Sequence, residues 1–322
     1  MKKQQYVFVS SCHEQGGIHC FSLTDTGLVP VGFTPMDRPM YTIAEGDRLY
    51  ALLRAPFPDS EHSGVLALRI GADGSLTPLE SLCSTKGIVG CHLCRMNDAT
   101  YVTNYVSGSV FKLPDTLITH SGSSVHPTRQ TAAHTHFVTP TPDGRYLLVT
   151  DLGMDQILTY DTDLGLVDIA ETTAGTGPRH LAFSADGTLC YCVNELSSTV
   201  TVYAYADGAL TMLSEHAALP GDFTGESTAA AIRRTDRHLF VSNRGHDSIT
   251  CFEMVDKTLQ RCGIFDCGGQ SPRDFIIVGD RLICTNEADG SVTLLDISNP
   301  AQGKLLQKLT IEKALCATPY TV

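Results

Sequence analysis

One short pattern recurs seven times along this chain and limits the fold more than any other feature. An apolar, β-type run ends in a polar or charged residue: YVFVSSC (6–12), LYALLRA (49–55), TYVTNYV (100–106), YLLVTDLG (146–153), LCYCVNEL (189–196), HLFVSNRG (238–245) and RLICTNEA (281–288). A second apolar alternation follows each within a few residues, beginning GIHCF, GVLAL, GSVFK, DQILTY, STVTVY, DSITCF and GSVTLL. Period-2 alternation of Val, Ile, Tyr and Phe between Gly, Asp and Ser marks strands joined by tight turns. A third element precedes six of the seven copies: PMYTIAEGD (39–47), CHLCRMND (91–98), HFVTPTPDG (136–144), PRHLAFSADG (178–187), STAAAIRRTD (227–236) and PRDFIIVGD (272–280). The missing copy lies at the other end of the chain, in TPYTV (318–322), which is similar to PMYTI.

Seven repeats in 322 residues give a period of about 46, the length of a four-stranded propeller blade. The sequence therefore predicts an all-β, seven-bladed β-propeller with four antiparallel strands per blade. Its C-terminal strand joins the N-terminal blade and closes the ring, so residues 1–322 form one domain. A solenoid would need capping repeats and no such closure. The one long irregular stretch, 112–133, carries His120 and His126 and joins blade 3 to blade 4. Long connections of this kind are often functional.

Composition narrows the partners. With 23 basic against 35 acidic residues, the formal charge of −12 has the wrong sign for a nucleic-acid partner. No apolar run approaches the roughly 18 residues that span a bilayer. MKKQQYVFVSSC lacks the apolar core and small-residue cleavage site of a leader. Twelve cysteines scattered among apolar residues read as buried free thiols of a cytoplasmic protein. Cys91 and Cys94 in GCHLC fall on opposite faces of a strand, so no metal is expected there. No cofactor is expected either, since P-loop, GxGxxG and HExxH are all missing. GESTA (225–229) departs from the GxSxG elbow at its last position.

Propeller geometry sorts the polar residues. The start of each first strand lies beside the end of the second, on one rim. First-strand starts offer Tyr41, His92, His134, His136, Arg179, His180, Arg273 and Tyr320. Second-strand ends offer Arg54, Asn104, Asp151, Asn194, Glu195, Asn243, Arg244, Asn286 and Glu287. Arg179, Arg244 and Arg273, from adjacent blades 5, 6 and 7, suit bidentate capture of a phosphate or carboxylate. Glu195 and His136 are the available acid–base groups. Asn104, Asp151 and Asn243 also suit simple turn formation, and Arg54 and Glu287 suit pairing with neighbours.

These segments carry a family resemblance. HTHFVTPTPDGRYLLVTDLGMDQILTY, GTGPRHLAFSADGTLCYCVNELSSTVTVY and HLFVSNRGHDSITCF resemble the seven-bladed propeller lactonases. That family includes the propeller-type 6-phosphogluconolactonase and the 3-carboxy-cis,cis-muconate lactonizing enzyme. NYVSGSV (104–110), HPTRQ (126–130) and QSPRDF (270–275) extend the likeness over nearly the whole chain, with blades 1 and 2 looser. The resemblance implies a catalytic set of Glu195, His136, Arg179 and Arg244, with His134 fitting the paired-histidine form.

The expected function is metal-independent hydrolysis of a sugar lactone, 6-phospho-D-glucono-1,5-lactone above all, a step of pentose phosphate metabolism. Glu195 or His136 would act as base, and Arg179 or Arg244 would face the oxyanion. Arg273, His134, His180, Asn104 and Asp151 are the expected substrate contacts. The partner is thus a small anionic lactone, with no nucleic acid and no membrane. Two other readings are a lactonizing or lactone-hydrolysing step on a carboxymuconate and a non-catalytic binding propeller. The latter fits poorly with a rim of Arg, His, Asn and Glu and a chain without Trp.

Overall fold

In the computed structural model, which describes residues 4–322, seven antiparallel sheets are arranged in chain order around one axis. Residues 1–3, part of the segment read for a leader, lie outside the described residues. The innermost strands of blades 2 to 7 are Pro39–Glu45, Gly90–Met96, Thr135–Pro140, Pro178–Phe183, Thr228–Arg234 and Pro272–Val278. Each contacts the innermost strand of the next blade around the ring. Blade 1 is built from both ends of the chain, with Ala314–Thr321 pairing antiparallel to Gln5–Ser11. Blade 2 carries a fifth strand, because His62–Ile70 pairs with both Leu76–Pro78 and Cys83–Ile88. No helix among the described residues is long and apolar enough to cross a membrane.

The closing strand includes the expected TPYT (318–321) and begins earlier, at Ala314. Ser11 pairs with Ala314 and Tyr6 with Tyr320, so Tyr320 lies at the rim opposite the one expected. The reason is apolar matching: Ala314, Leu315, Cys316 and Ala317 are all buried, while Tyr320 reaches the half-buried margin. The core lies between blades, where one sheet face packs on the next. Val7 and Val9 of blade 1 share a cluster with Ile283 and Val292 of blade 7, and Phe8 shares one with Leu49 and Leu68 of blade 2. A sheet closed in this way leaves only the outermost strands as edges.

One irregularity recurs in every blade. Between the first and second strands, two residues of the first oppose one of the second. In blade 4 the pairing steps from Thr135–Asp151 to Phe137–Thr150 and leaves out His136. It leaves out Arg179 in blade 5, Arg273 in blade 7 and Met40 in blade 2. Blades 3, 6 and 1 are irregular at the corresponding points, near Cys91, Ala230 and Leu315. A β-bulge bends its strand and re-aims the extra side chain.

Because the closing strand supplies the inner edge of blade 1, a chain ending at Glu312 is expected to lose cooperative folding. Thermal unfolding followed by circular dichroism tests this. A melt matching that of the full chain would show that closure is dispensable.

Candidate active site

At the rim where the second strands end lies a cavity of about 370 Å³. Two sets of residues line it. The first is the bulge set: Met40, Cys91, His136, Arg179, Arg273 and Leu315. The second follows each second strand or ends it: Arg54, Tyr105, Glu195, Arg244 and Glu287. Val89 and Val106 also line it, and Arg129 reaches it from the long connection between blades 3 and 4. Five arginines and two glutamates give the cavity a formal excess of three positive charges in a protein of net charge −12.

Glu195 organises the arginines. Its Oε2 accepts from Arg179 Nε at 2.8 Å and is 2.9 Å from Arg244 Nη2, while Oε1 accepts from Arg129 Nη2 at 2.5 Å. Glu195 is only 3% exposed and Arg179 only 2%. Burial alone would raise the Glu195 carboxyl, but the charges of Arg244, Arg179 and Arg129 outweigh it and hold the group well below the ordinary carboxylate range. Arg179 is pulled down to about 9, by burial first and Arg244 second, and stays charged at neutral pH. Its Nη1 donates to Ala230 O at 2.7 Å and lies 3.2 Å from His180 Nε2, leaving Nη2 unused among the described residues.

Arg129 is fixed by a connection that is tied down along its length. His120 bridges Asp151 Oδ2 at 2.7 Å and the Tyr160 hydroxyl at 2.8 Å. Gln130 Nε2 donates to Leu152 O at 2.9 Å, and the Arg129 backbone N–H donates to His126 Nδ1 at 3.2 Å. Tyr105, which accepts from Arg129 Nη2 at 3.3 Å, is held through its own N–H on Val89 O at 2.9 Å. Val89 itself has φ of 56°, a left-handed conformation that a β-branched residue adopts only under constraint from its surroundings. Sequence reasoning placed HPTRQ in the resemblance but gave Arg129 and Tyr105 no role. The only signal was the polar length of the connection.

Four expected contacts fall outside the cavity lining. Asn104 is wholly buried, where it accepts from Thr85 Oγ1 of blade 2 at 2.8 Å and its Nδ2 donates to Ser109 Oγ of its own blade at 3.2 Å. Asn194, Asn243 and Asn286 repeat this tie to their third strands. Asp151 takes the same place in blade 4, accepting from the N–H groups of His134 and Gly153. His134 stacks on Tyr105, with ring centroids 4.4 Å apart, and its Nδ1 bonds to Tyr105 O at 2.9 Å. His180 belongs to a layer one residue further along the strands. There Tyr41, His92, Phe137 and His180 follow one another with centroid spacings of 4.4, 4.0 and 4.6 Å. Tyr41 and Phe137 face a second cavity of about 660 Å³ at the opposite mouth, with Arg233, which pairs with Asp274 at 2.6 Å. Cys91 and Cys94 go separate ways: Cys91 meets His136 O at 3.1 Å, and Cys94 packs in a cluster with Tyr101.

His92, His136 and His180 are held well below the ordinary imidazole value of 6.5, chiefly by burial and then by arginine charge. Each is neutral in the fold, and each takes up a proton near pH 6.5 once unfolded. The unfolded chain therefore binds more protons below that value. Stability is complete above about pH 6.5 and is lost as the pH falls through it, by roughly 1.4 kcal/mol per pH unit for each histidine. Glu195 adds a separate loss as the pH falls below its ordinary value of 4.5. Melting temperatures from pH 8 to pH 5 should be level and then fall. A profile flat through 6.5 would contradict the burial of these imidazoles as neutral groups.

Comparison with known proteins follows the same lines. The family model described as "Lactonase, 7-bladed beta-propeller" matches residues 6–318. An uncharacterized protein of Staphylococcus aureus is 34% identical over 315 residues, covering 90% of this chain and 91% of that protein. A Bacteroides fragilis protein provisionally assigned as a 6-phosphogluconolactonase superposes with a TM-score of 0.89 at 26% identity, covering 99% of this chain and 98% of that one. The periplasmic gluconolactonase of Pseudomonas aeruginosa superposes with a TM-score of 0.88 at 25% identity, covering 98% and 99%. The bulge-borne arginines and histidine thus sit in a chain that belongs to the seven-bladed β-propeller lactonase family.

Proposed function

We propose that this protein hydrolyses 6-phospho-D-glucono-1,5-lactone to 6-phosphogluconate. The observation that carries the reading is the cavity charge: five arginines and only two carboxylates line it in an otherwise acidic molecule. Such a cavity suits a small polyanion, and guanidinium forks match phosphate oxygens. The family supplies the reaction class, and relatives named for phosphorylated and unphosphorylated gluconolactones support the sugar.

Of the two candidate bases, the geometry favours His136. Both oxygens of Glu195 are occupied by arginines and its carboxyl is a weak base. Glu195 is better suited to position Arg129, Arg179 and Arg244. His136 lines the cavity and is uncharged at neutral pH. In the proposed reaction, water attacks the lactone carbonyl carbon as His136 takes its proton. Arg179 and Arg244 face the oxyanion of the tetrahedral intermediate, where one preorganised donor supplies roughly 3–4 kcal/mol. Collapse breaks the bond to the ring oxygen, which recovers the proton from the His136 imidazolium. Arg273 holds the phosphate. The twelve unpaired cysteines favour a reducing, cytoplasmic setting.

Activity on freshly generated 6-phosphogluconolactone, coupled to 6-phosphogluconate dehydrogenase and corrected for spontaneous opening, tests the reading. The wild type should exceed background clearly. His136→Gln should lower kcat by about 10²–10⁴ with little change in KM, and Arg179→Ala should remove activity. A wild-type rate at background would dismiss this substrate and turn attention to carboxymuconate lactones.

A further inference from the structure

The cavity charge is not evenly neutralised, and the imbalance is localised. Glu195 serves Arg129, Arg179 and Arg244, and Glu287 serves Arg273 at 2.9 Å. Arg54, an exposed residue, lines the same cavity with no ion-pair partner among the described residues. Its backbone is nonetheless rigidly placed. The Arg54 N–H donates to Arg38 O at 3.0 Å. The Arg54 carbonyl accepts from Ser63 Oγ at 2.7 Å, and Ser63 is fully buried.

Ring order sets where that charge lies. Arg54 belongs to blade 2 and Arg273 to blade 7, so they flank blade 1. Both charges bear on the Cys12 thiol at the end of the first blade's second strand. In a ring of seven, blades 4 and 5, which carry His136 and Glu195, lie across the mouth from blade 1. The cavity therefore has two ends: an acid–base and oxyanion end, and a cationic end with one arginine left unneutralised.

We infer that Arg54 is the residue that selects a substrate bearing an anionic group at the end remote from its reacting carbonyl. This rests on the lactonase reading above and deepens it. In a 6-phosphorylated 1,5-lactone the phosphate is carried on C6, remote from the carbonyl at C1. Arg273, already engaged by Glu287, holds one side of the phosphate, and Arg54 completes the grip. A neutral lactone fills the reacting end and leaves Arg54 without a ligand.

Calorimetric binding of the two stable products, 6-phosphogluconate and gluconate, tests the inference without depending on turnover. Wild type should prefer the phosphorylated acid. Arg54→Gln should weaken 6-phosphogluconate at least about tenfold more than it weakens gluconate, the loss of one charge-assisted contact. Arg54→Lys should recover part of the preference, which a packing role would not predict. Arg237→Gln, a surface arginine away from the cavity, should match wild type. Equal weakening of both ligands in Arg54→Gln, or no phosphate preference in the wild type, would overturn the assignment. Selective weakening in a protein that opens no lactone would leave Arg54 as an anion-selecting residue and remove only the catalytic reading.

Discussion

The β-bulge at the head of the innermost strands is the constraint on which the site depends. A regular strand alternates its side chains between two faces, and in a propeller blade both faces are claimed by neighbouring blades. Nothing in that arrangement aims a side chain at the axis. One extra residue breaks the alternation locally and frees a side chain to face the mouth. His136, Arg179 and Arg273 are such residues. Where the bulge residue is Met40, Cys91 or Leu315, the same device provides an apolar wall. One backbone irregularity, repeated around the ring, therefore sets the cavity's shape, and residue identity at the bulge sets its chemistry.

The buried carboxylate explains how so many guanidiniums can share a small space. Removing Arg179 and Glu195 from water carries a desolvation cost that their mutual attraction offsets only with good geometry and added hydrogen bonds. Glu195 meets that condition by accepting from or facing three arginines at 2.5 to 2.9 Å. Its effect is to fix guanidinium orientation rather than to stabilise the fold. All three arginines it holds line the cavity. Preorganised donors of this kind need no reorganisation when charge develops on a substrate.

The sequence made the ring, the blade number and the closure legible because strand periodicity and turn residues are local signals. It also made the rim legible in outline: Glu195, Arg244 and Arg179 were placed at the mouth from strand order alone. Its errors have separate physical causes. Arg179 and His180 are neighbours, yet the bulge leaves Arg179 at the cavity and puts His180 in the aromatic layer beneath. Asn104 and Asp151 end second strands as expected, but their short side chains satisfy the backbone and hydroxyls of their own blade and its neighbours. Arg129 could not be read from the repeat because it lies outside it, on a connection ordered by His120, His126 and Gln130.

Charge distribution joins fold to function at longer range. A body of net charge −12 repels anions, while the cavity carries a formal excess of three positive charges. Low-dielectric walls focus a field of one sign into a cleft, so an anion is drawn to the mouth and away from the rest of the surface. Within the mouth, the cationic end formed by blades 7 and 2 faces the proposed reacting end formed by blades 4, 5 and 6. A ligand with its charge at one end and its carbonyl at the other enters in one orientation. On the proposed reading, the polarity that attracts the substrate also aligns it, because Arg54 and Arg273 stand across the ring from His136 and Glu195.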